Sequence, residues 1–291
     1  MKETIPIYNI NNLSGQSPTN PAIFFTQHQI SNPVSSINIP YRSNYYGIGL
    51  CTKGKATLKA NLETYPVEKN CIITMSPPVI KQWVHLAADY ETMAVFFTKD
   101  FFIKKNPNKN YLDTFSFFDP NAKHVSQFSD NQAKTINIIL KNIQAKLNEQ
   151  HPYKYEIASN LIEILLFETA AVYDKENFIS YYKQTRSEQL TTEFKKSVCA
   201  HFAQERSVQF YASLLFVSPK HLTEVVKQET GKSAKEWIDE LVILEAKVLL
   251  QNPTLSIANI ADRLSFANQA VFGKFFKNLT DLSPLAYRQS L

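Results

Sequence analysis

Gln269, Ala270, Gly273, Lys274 and Lys277 recur within "NQAVFGKFFKN" at spacings that bring them onto one face of a helix. Their chemistry is that of recognition and not of bond breaking. A carboxamide can bond both hydrogen-bonding positions of an adenine edge, an ammonium can reach a guanine or a phosphate, and two minimal side chains permit close approach to bases or thymine methyls. Upstream, Lys220, His221, Thr223, Glu224 and Lys227 form a second outward set in which Glu224 could accept from a cytosine amine. His221 reads as a groove-edge or packing residue, since no metal-ligating partner lies at ligand spacing. Ser218 and Asn268 stand just before the two sets, where they can cap a helix and donate to phosphate oxygens. For every one of these residues a plainly solvated helix face is the competing explanation.

The elements that would carry them can be read from "SIANIADRLSFANQAVFGKFF", Ser256 to Phe276. Ile257, Ile260, Ala261 and Leu264 share one helical face behind the cap Ser256, and a second helix buries Val271, Phe272, Phe275, Phe276 and Leu279 behind the cap Asn268. The short "SFAN" between them predicts a sharp turn anchored by Phe266, the pattern of a helix-turn-helix. "SVQFYASLLFVSPKHLTEVVKQETG" repeats it: Val208, Tyr211, Ala212 and Leu215 precede their counterparts by 49 residues, while Leu222, Val226, Lys227, Thr230 and Ser233 do so by 50. Between the copies a helix from about Ala234 to Leu250 turns Trp237, Leu241, Leu244 and Val248 to a core. At 1.5 Å per residue it would be about 25 Å long, enough to hold two recognition helices near the ~34 Å separation of successive major-groove segments.

The rest of the chain reads differently. With 291 residues there is room for two domains. From Ala22 to Phe102 short alternating runs separated by turn signals, "AIFFTQHQI", "SSINIPY", "YYGIGLCTKG", "KATLKANLETYPV", "NCIITMSP", "VIKQWVHLA" and "ETMAVFFTKDFF", predict a β-barrel or sandwich. Ala56, Leu58, Ala60 and Leu62 alternate, and "TKGK" carries the glycine of a hairpin turn. Two helices follow, Asp130 to Glu149 with Ile136, Ile139, Leu140, Ile143 and Leu147 on one stripe, and about Lys154 to Asp174 with Ile157, Leu161, Ile164, Leu165 and Val172. The polar "DKENFISYYKQTRSEQ" reads as a linker. The expected class is therefore α+β, with a barrel-plus-helix domain over 1–180 and an all-α domain over 181–291.

Charge alone would not suggest DNA. The net charge is +5, yet from Ser187 onward 12 basic residues meet 11 acidic ones. Cys51, Cys71 and Cys199 show neither a disulfide framework nor a zinc spacing, and no signal peptide or apolar run of membrane length is present, so a soluble cytoplasmic protein without membrane association is expected. The six histidines include no HxH or HExxH. Catalytic residues, metal ligands and cofactors are accordingly not expected.

The C-terminal third resembles the AraC/XylS family of transcriptional regulators. The doubled helix-turn-helix, "TGKS" after the first recognition helix, and the closing "FFKNLTDLSPLAYR" with Tyr287 and Arg288 carry the likeness. Ser265 and Asp281 stand where that family commonly has glycine, and Val242 where it often has arginine. "PYRSNYYGIGLCTKGKATL" and the order of elements resemble the family's cupin-like arm more weakly. The resemblance implies double-stranded operator DNA as a partner, a small-molecule effector, homodimerisation and contact with RNA polymerase. Arg42, Tyr45, Trp83, His85 and Tyr90 are the candidate effector-pocket residues, because aromatic walls with a few polar groups suit small ligands. A cupin-like enzyme and a helical interaction module without DNA affinity are the rival functions.

Overall fold

In a computed structural model the protein is described over residues 7–8, 20–29, 38–103, 111–183 and 185–291. It divides into two compact units, Ile7–Tyr182 and Lys183–Leu291.

The first unit begins with the short strands β1 (Ile7–Tyr8) and β3 (Arg42–Ser43), which pair in parallel. β2 (Ile23–Gln29), β4 (Tyr46–Lys53), β7 (Cys71–Met75), β9 (Glu91–Phe97) and β10 (Val125–Gln127) form an antiparallel sheet of five strands in the order β10-β7-β4-β9-β2. β5 (Ala56–Ala60), β6 (Glu63–Val67) and β8 (Lys81–Leu86) form a second, in the order β6-β5-β8. Cys51, Cys71, Ile73, Met75 and Val125 from the larger sheet meet Ala56, Leu58 and Val67 from the smaller in one apolar core, so the sheets face each other as an open barrel.

Several boundaries differ from the sequence reading. The "TKGK" turn, with Gly54 at φ +73°, makes no hairpin, because β4 and β5 lie in different sheets and the turn carries the chain across. The hairpin is β5–β6: Ala60 pairs with Glu63, Asn61 takes φ +51°, and Leu62 falls in the turn, which ends the alternation. "ETMAVFFTKDFF" is a strand only to Phe97, and α1 (Lys99–Ile103) follows. Residues 35–37 of "SSINIPY" lie outside the described residues, and Tyr41 at its end makes an isolated bridge with Lys81.

α2 (Asp130–Asn148) starts at a capping box, the Ser129 side chain accepting from Gln132 N while Gln132 accepts from the Ser129 backbone. Its Ile136, Ile139, Leu140 and Ile143 join Ile48, Leu50, Val95 and Phe97 from the other face of the five-stranded sheet. α3 (Lys154–Lys183) contributes Ala158, Ile162, Leu165 and Leu166 to this core. Of the stripe expected on α3 only Leu165 is buried; Ile157, Leu161 and Val172 are half-buried and Ile164 is exposed, because the buried face is turned toward Ile162 and Leu166. The expected linker is also largely helical, since α3 runs to Lys183 and α4 (Arg186–His201) begins at a Thr185–Glu188 capping box.

The second unit is wholly helical, with α5 (Val208–Leu214), α6 (Pro219–Thr230), α7 (Ala234–Leu250), α8 (Ile257–Arg263), α9 (Gln269–Thr280) and α10 (Pro284–Gln289) after α4. α7 buries Trp237, Leu241, Val242 and Val248, with Leu244 half-buried. Val242 is thus a core residue, which explains an apolar side chain at that position.

Candidate nucleic-acid interface and barrel interior

The two helical pairs, α5–α6 and α8–α9, repeat down to individual hydrogen bonds. Leu215 N donates to Tyr211 O at 3.0 Å and Leu264 N to Ile260 O at 3.1 Å; Val217 N donates to Ala212 O at 3.0 Å and Phe266 N to Ala261 O at 2.9 Å. Phe216 and Ser265 both take the left-handed conformation, φ +56° and +54°, that reverses the chain between the helices. At the far ends Gly231 and Asp281 do the same, φ +77° and +62°. Thr230 Oγ1 donates to Val226 O at 2.7 Å, and Thr280 Oγ1 to Phe276 O at 2.8 Å. The change of offset is therefore one extra residue, Ala267, between the turn and the cap Asn268.

Left-handed backbone favours glycine, and an L side chain there costs ~1 kcal/mol. Phe216 bears that cost while 95% exposed, so no packing offsets it. Phe216→Gly is expected to stabilise the helical unit by about 1 kcal/mol, seen as a higher melting temperature; an unchanged or lower one would contradict the backbone account.

Leu222, Val225 and Val226 bury α6, and Phe272 and Phe276 bury α9, with Phe275 half-buried. The outward sets follow as expected: Lys220, His221, Glu224 and Lys227 are exposed and Thr223 half-exposed on α6, while Gln269, Ala270, Lys274 and Lys277 are exposed and Gly273 half-exposed on α9. Val271 is corrected. It is 49% exposed, and Leu279 is 50% exposed, so neither belongs to the buried set. Val271 occupies the position on α9 that His221 has on α6, between Ala270 and Gly273, and an offset of 50 applied strictly from Ser218 would have revealed it.

Ser218 Oγ accepts from His221 N at 3.2 Å and Asn268 Oδ1 from Val271 N at 2.9 Å. The acceptors are spent on the caps, which leaves the hydroxyl hydrogen and the Nδ2 hydrogens as donors for an anion at each helix start. Lys220 stands 4.0 Å from Glu224, a loose exposed pair, whereas Lys227, Lys274 and Lys277 have no ion-pair partner among the described residues. A methyl group built on Gly273 would meet nothing within 4 Å.

Arg206, which sequence reasoning passed over, ties the halves together. Nη1 donates to Leu264 O at 3.0 Å, Nη2 to Ser265 O at 2.8 Å, and the guanidinium lies 3.7 Å from the Phe266 ring centroid. Phe266 in turn packs at ring distances of 5.2 Å and 5.0 Å on Phe272 and Phe275. Arg288 Nε closes the last helix onto Leu250 O at 3.0 Å.

In the barrel, Tyr45 and Tyr90 are buried and Trp83 packs against Tyr90 at 5.9 Å. Arg42 donates to Pro78 O at 3.2 Å. His85 is exposed and does not join the buried aromatics. The expected pocket list omitted Lys81 and His124, both buried. Burial, with Arg42 adding to it, pulls the Lys81 amine down to about 7, and burial pulls His124 down to about 4. Among the described residues no group of three His, Cys, Asp or Glu could hold a metal ion, and no helix is long and apolar enough to cross a membrane.

A family profile described as a helix-turn-helix domain matches residues 211–290. The Msm operon regulatory protein of Streptococcus mutans is 27% identical over 128 residues, 43% of this chain and 46% of that protein. The arabinose operon regulatory protein of Escherichia coli K12 is 27% identical over 173 residues, 59% of this chain and 54% of that protein. The chain thus spans about half the length of these curated relatives. Among solved structures, the C-terminal domain of AraT, a response regulator from Geobacillus stearothermophilus, is 29% identical, with 37% of this chain and 89% of that chain covered and a TM-score of 0.35.

Proposed function

We propose that the protein is a sequence-specific DNA-binding regulator of the AraC type whose N-terminal barrel senses a small molecule, a reading supported by the helix-turn-helix profile over residues 211–290 and by the likeness to operon regulatory proteins. The observation that carries the reading is the atom-level repeat of the helix-turn-helix, with matching outward faces on α6 and α9. Two such faces suit successive major-groove segments on one side of a duplex. Gln269 would read a base edge, Val271 and Ala270 would lie against thymine methyls, and Lys227, Lys274 and Lys277 would meet guanines or phosphates. The residues on α6, with Ser218 and Asn268, would set the register. Operator DNA selected from genomic fragments should bind with a steep loss of affinity as salt rises. No duplex binding at 50 mM salt by the folded full chain would overturn the reading.

Lys274 and Gln269 should fail in different ways. Lys274→Ala is expected to weaken all duplexes severalfold alike and to lower the salt slope by about one, whereas Gln269→Ala should relax preference at a single base position. Titration of both variants against matched operators checks this. Identical, sequence-independent losses would remove the base-reading role from Gln269.

The reading includes a homodimer formed through α2 and α3, supported by Ile138, Ile164 and Phe167, large apolar side chains left exposed on these helices. Light scattering on the full chain should give twice the chain mass, and Ile164→Glu should shift it toward the monomer. A wild-type monomer at high micromolar concentration would refute the dimer. RNA polymerase is the further protein partner, the cytoplasm the location, and the barrel is assigned binding without turnover.

A further inference from the structure

Lys81 is 1% exposed on β8, directly opposite Ala60 of β5 and on the same strand face as Trp83, which stands opposite Leu58. Its side chain therefore enters the space between the two sheets. A protein interior accepts an ammonium group when something repays the lost hydration, ordinarily a carboxylate. Among the described residues no carboxylate pairs with it. Nζ donates to Ser43 Oγ at 2.6 Å and lies 5.7 Å from the Tyr45 ring centroid. Ser43 Oγ gives its own proton to Tyr45 O at 3.2 Å, so toward Lys81 it acts as an acceptor. An ammonium has three donors. Two of them find no acceptor among the described residues.

The surroundings are aromatic and polar at once. Tyr45 meets Phe96 edge-on at 5.2 Å, Phe24 packs against the same cluster, and both phenylalanines are partly exposed. His124 is within electrostatic reach of Lys81, and its buried Nδ1, beside the Thr74 backbone, makes no close hydrogen bond among the described residues. Buried polar atoms without partners at the edge of an aromatic wall are what a ligand's polar end would satisfy.

We propose that the effector of the barrel is a small carboxylic acid whose carboxylate is held by Lys81 Nζ, which Ser43 Oγ orients, with its apolar remainder against Tyr45, Phe96 and Phe24. The inference rests on the reading of the N-terminal unit as an effector site. Lys81 is the fully buried cation here and one carboxylate balances its charge; Arg42, whose charge also reaches Lys81, is partly exposed and donates to Pro78 O. Without a bound acid the amine, brought down to about 7 by burial and by Arg42, is mostly neutral at pH 8; the other titratable group facing it, His124, is held neutral by burial. Binding of a carboxylate restores the ammonium and takes up close to one proton at pH 8 and almost none at pH 6.

Calorimetry on the full chain, with benzoate and octanoate each set against its own primary amide and run at pH 8 in buffers of different ionisation heat, tests this. At least one acid should bind tenfold or more tighter than its amide, with proton uptake. Lys81→Met should abolish the uptake and lose tenfold or more in affinity while melting no earlier than wild type. Ser43→Ala, which keeps the amine, should lose a smaller factor and retain the uptake, and stands as the second arm if Lys81→Met does not fold. Saturable binding by neither acid, equal binding of acid and amide, or full affinity in Lys81→Met would each overturn the proposal. Duplex binding is measured on the same samples: a chain that holds DNA but favours no acid loses this inference and keeps the regulator reading, and one that binds the acids but no DNA does the reverse.

Discussion

Arg206→Ala is expected to destabilise the helical unit by about 2–4 kcal/mol, a loss far beyond that of an ordinary half-exposed arginine. The guanidinium makes two charge-assisted hydrogen bonds to carbonyls at the turn between α8 and α9, Leu264 O and Ser265 O, and covers the ring of Phe266. Hydrogen bonds involving a charged group contribute ~1.5–3 kcal/mol and a cation–π contact ~0.5–2 kcal/mol, the contributions of neighbours being less than additive. Burial lowers the Arg206 pKa, yet a guanidinium stays charged throughout the accessible range, so the effect should not depend on pH. Arg206→Lys should recover little of the loss, because an ammonium cannot span two carbonyls with a planar fork. Melting curves of the three proteins decide the matter. A shift below ~1 kcal/mol for Arg206→Ala would show that the turn is held by Phe266 and the helix caps alone.

The consequence reaches function because Arg206 precedes α5, the first helix of the first pair, and grips the turn of the second. Loosening that contact should disturb the placing of α9 relative to α6. Operator affinity should fall more than affinity for a single half-site. Equal losses on both duplexes would mean that Arg206 supports the second pair without coordinating it with the first.

Much of the C-terminal unit could be read from the sequence because its signals are local. Caps, a period near 3.6 and a repeat with nearly constant offset each constrain a few neighbouring residues, and the structure retains Ser218, Ser256 and Asn268 as caps and Phe266 as the anchor of the turn. Ser265 and Asp281 were visible as departures from glycine, but only the backbone shows that both sit at positive φ. Val271 was misassigned because an apolar residue next to Phe272 looks buried, and the exposure of one helical position depends on an angle that composition does not give.

The barrel was less legible for a physical reason. Sheet pairing is non-local, so the Gly54 turn could not be told from a hairpin without knowing that β4 and β5 lie in different sheets. Lys81 offered no signal either, since a lysine beginning "KQWVHL" resembles an ordinary edge charge. Its burial comes from pairing with Ala60 and from Ser43, which lies 38 residues away in the chain. Arg206 went unnoticed on the same grounds, its carbonyl partners being 58 and 59 residues distant.

Gly273→Leu is expected to leave the fold as stable as wild type, or slightly more so, while weakening operator binding tenfold or more, about 1.4 kcal/mol. A glycine within a helix costs ~1 kcal/mol relative to alanine, so propensity alone would have removed it. Helix-to-helix contact would explain it if a side chain there met a neighbour, but a built methyl group finds nothing within 4 Å. The open space lies on the outward face of α9, beside Gln269, Ala270, Lys274 and Lys277. A low surface at that point lets the helix approach the groove floor, and a leucine would hold it away. Gly273→Ala should gain helix propensity and lose less affinity, so stability and binding should move in opposite directions across the series Gly, Ala, Leu. Melting curves and isotherms on the same samples measure both. A leucine variant that melts early would mean that this face packs against protein, and one that melts normally and binds the operator at full strength would mean that the groove does not require the glycine.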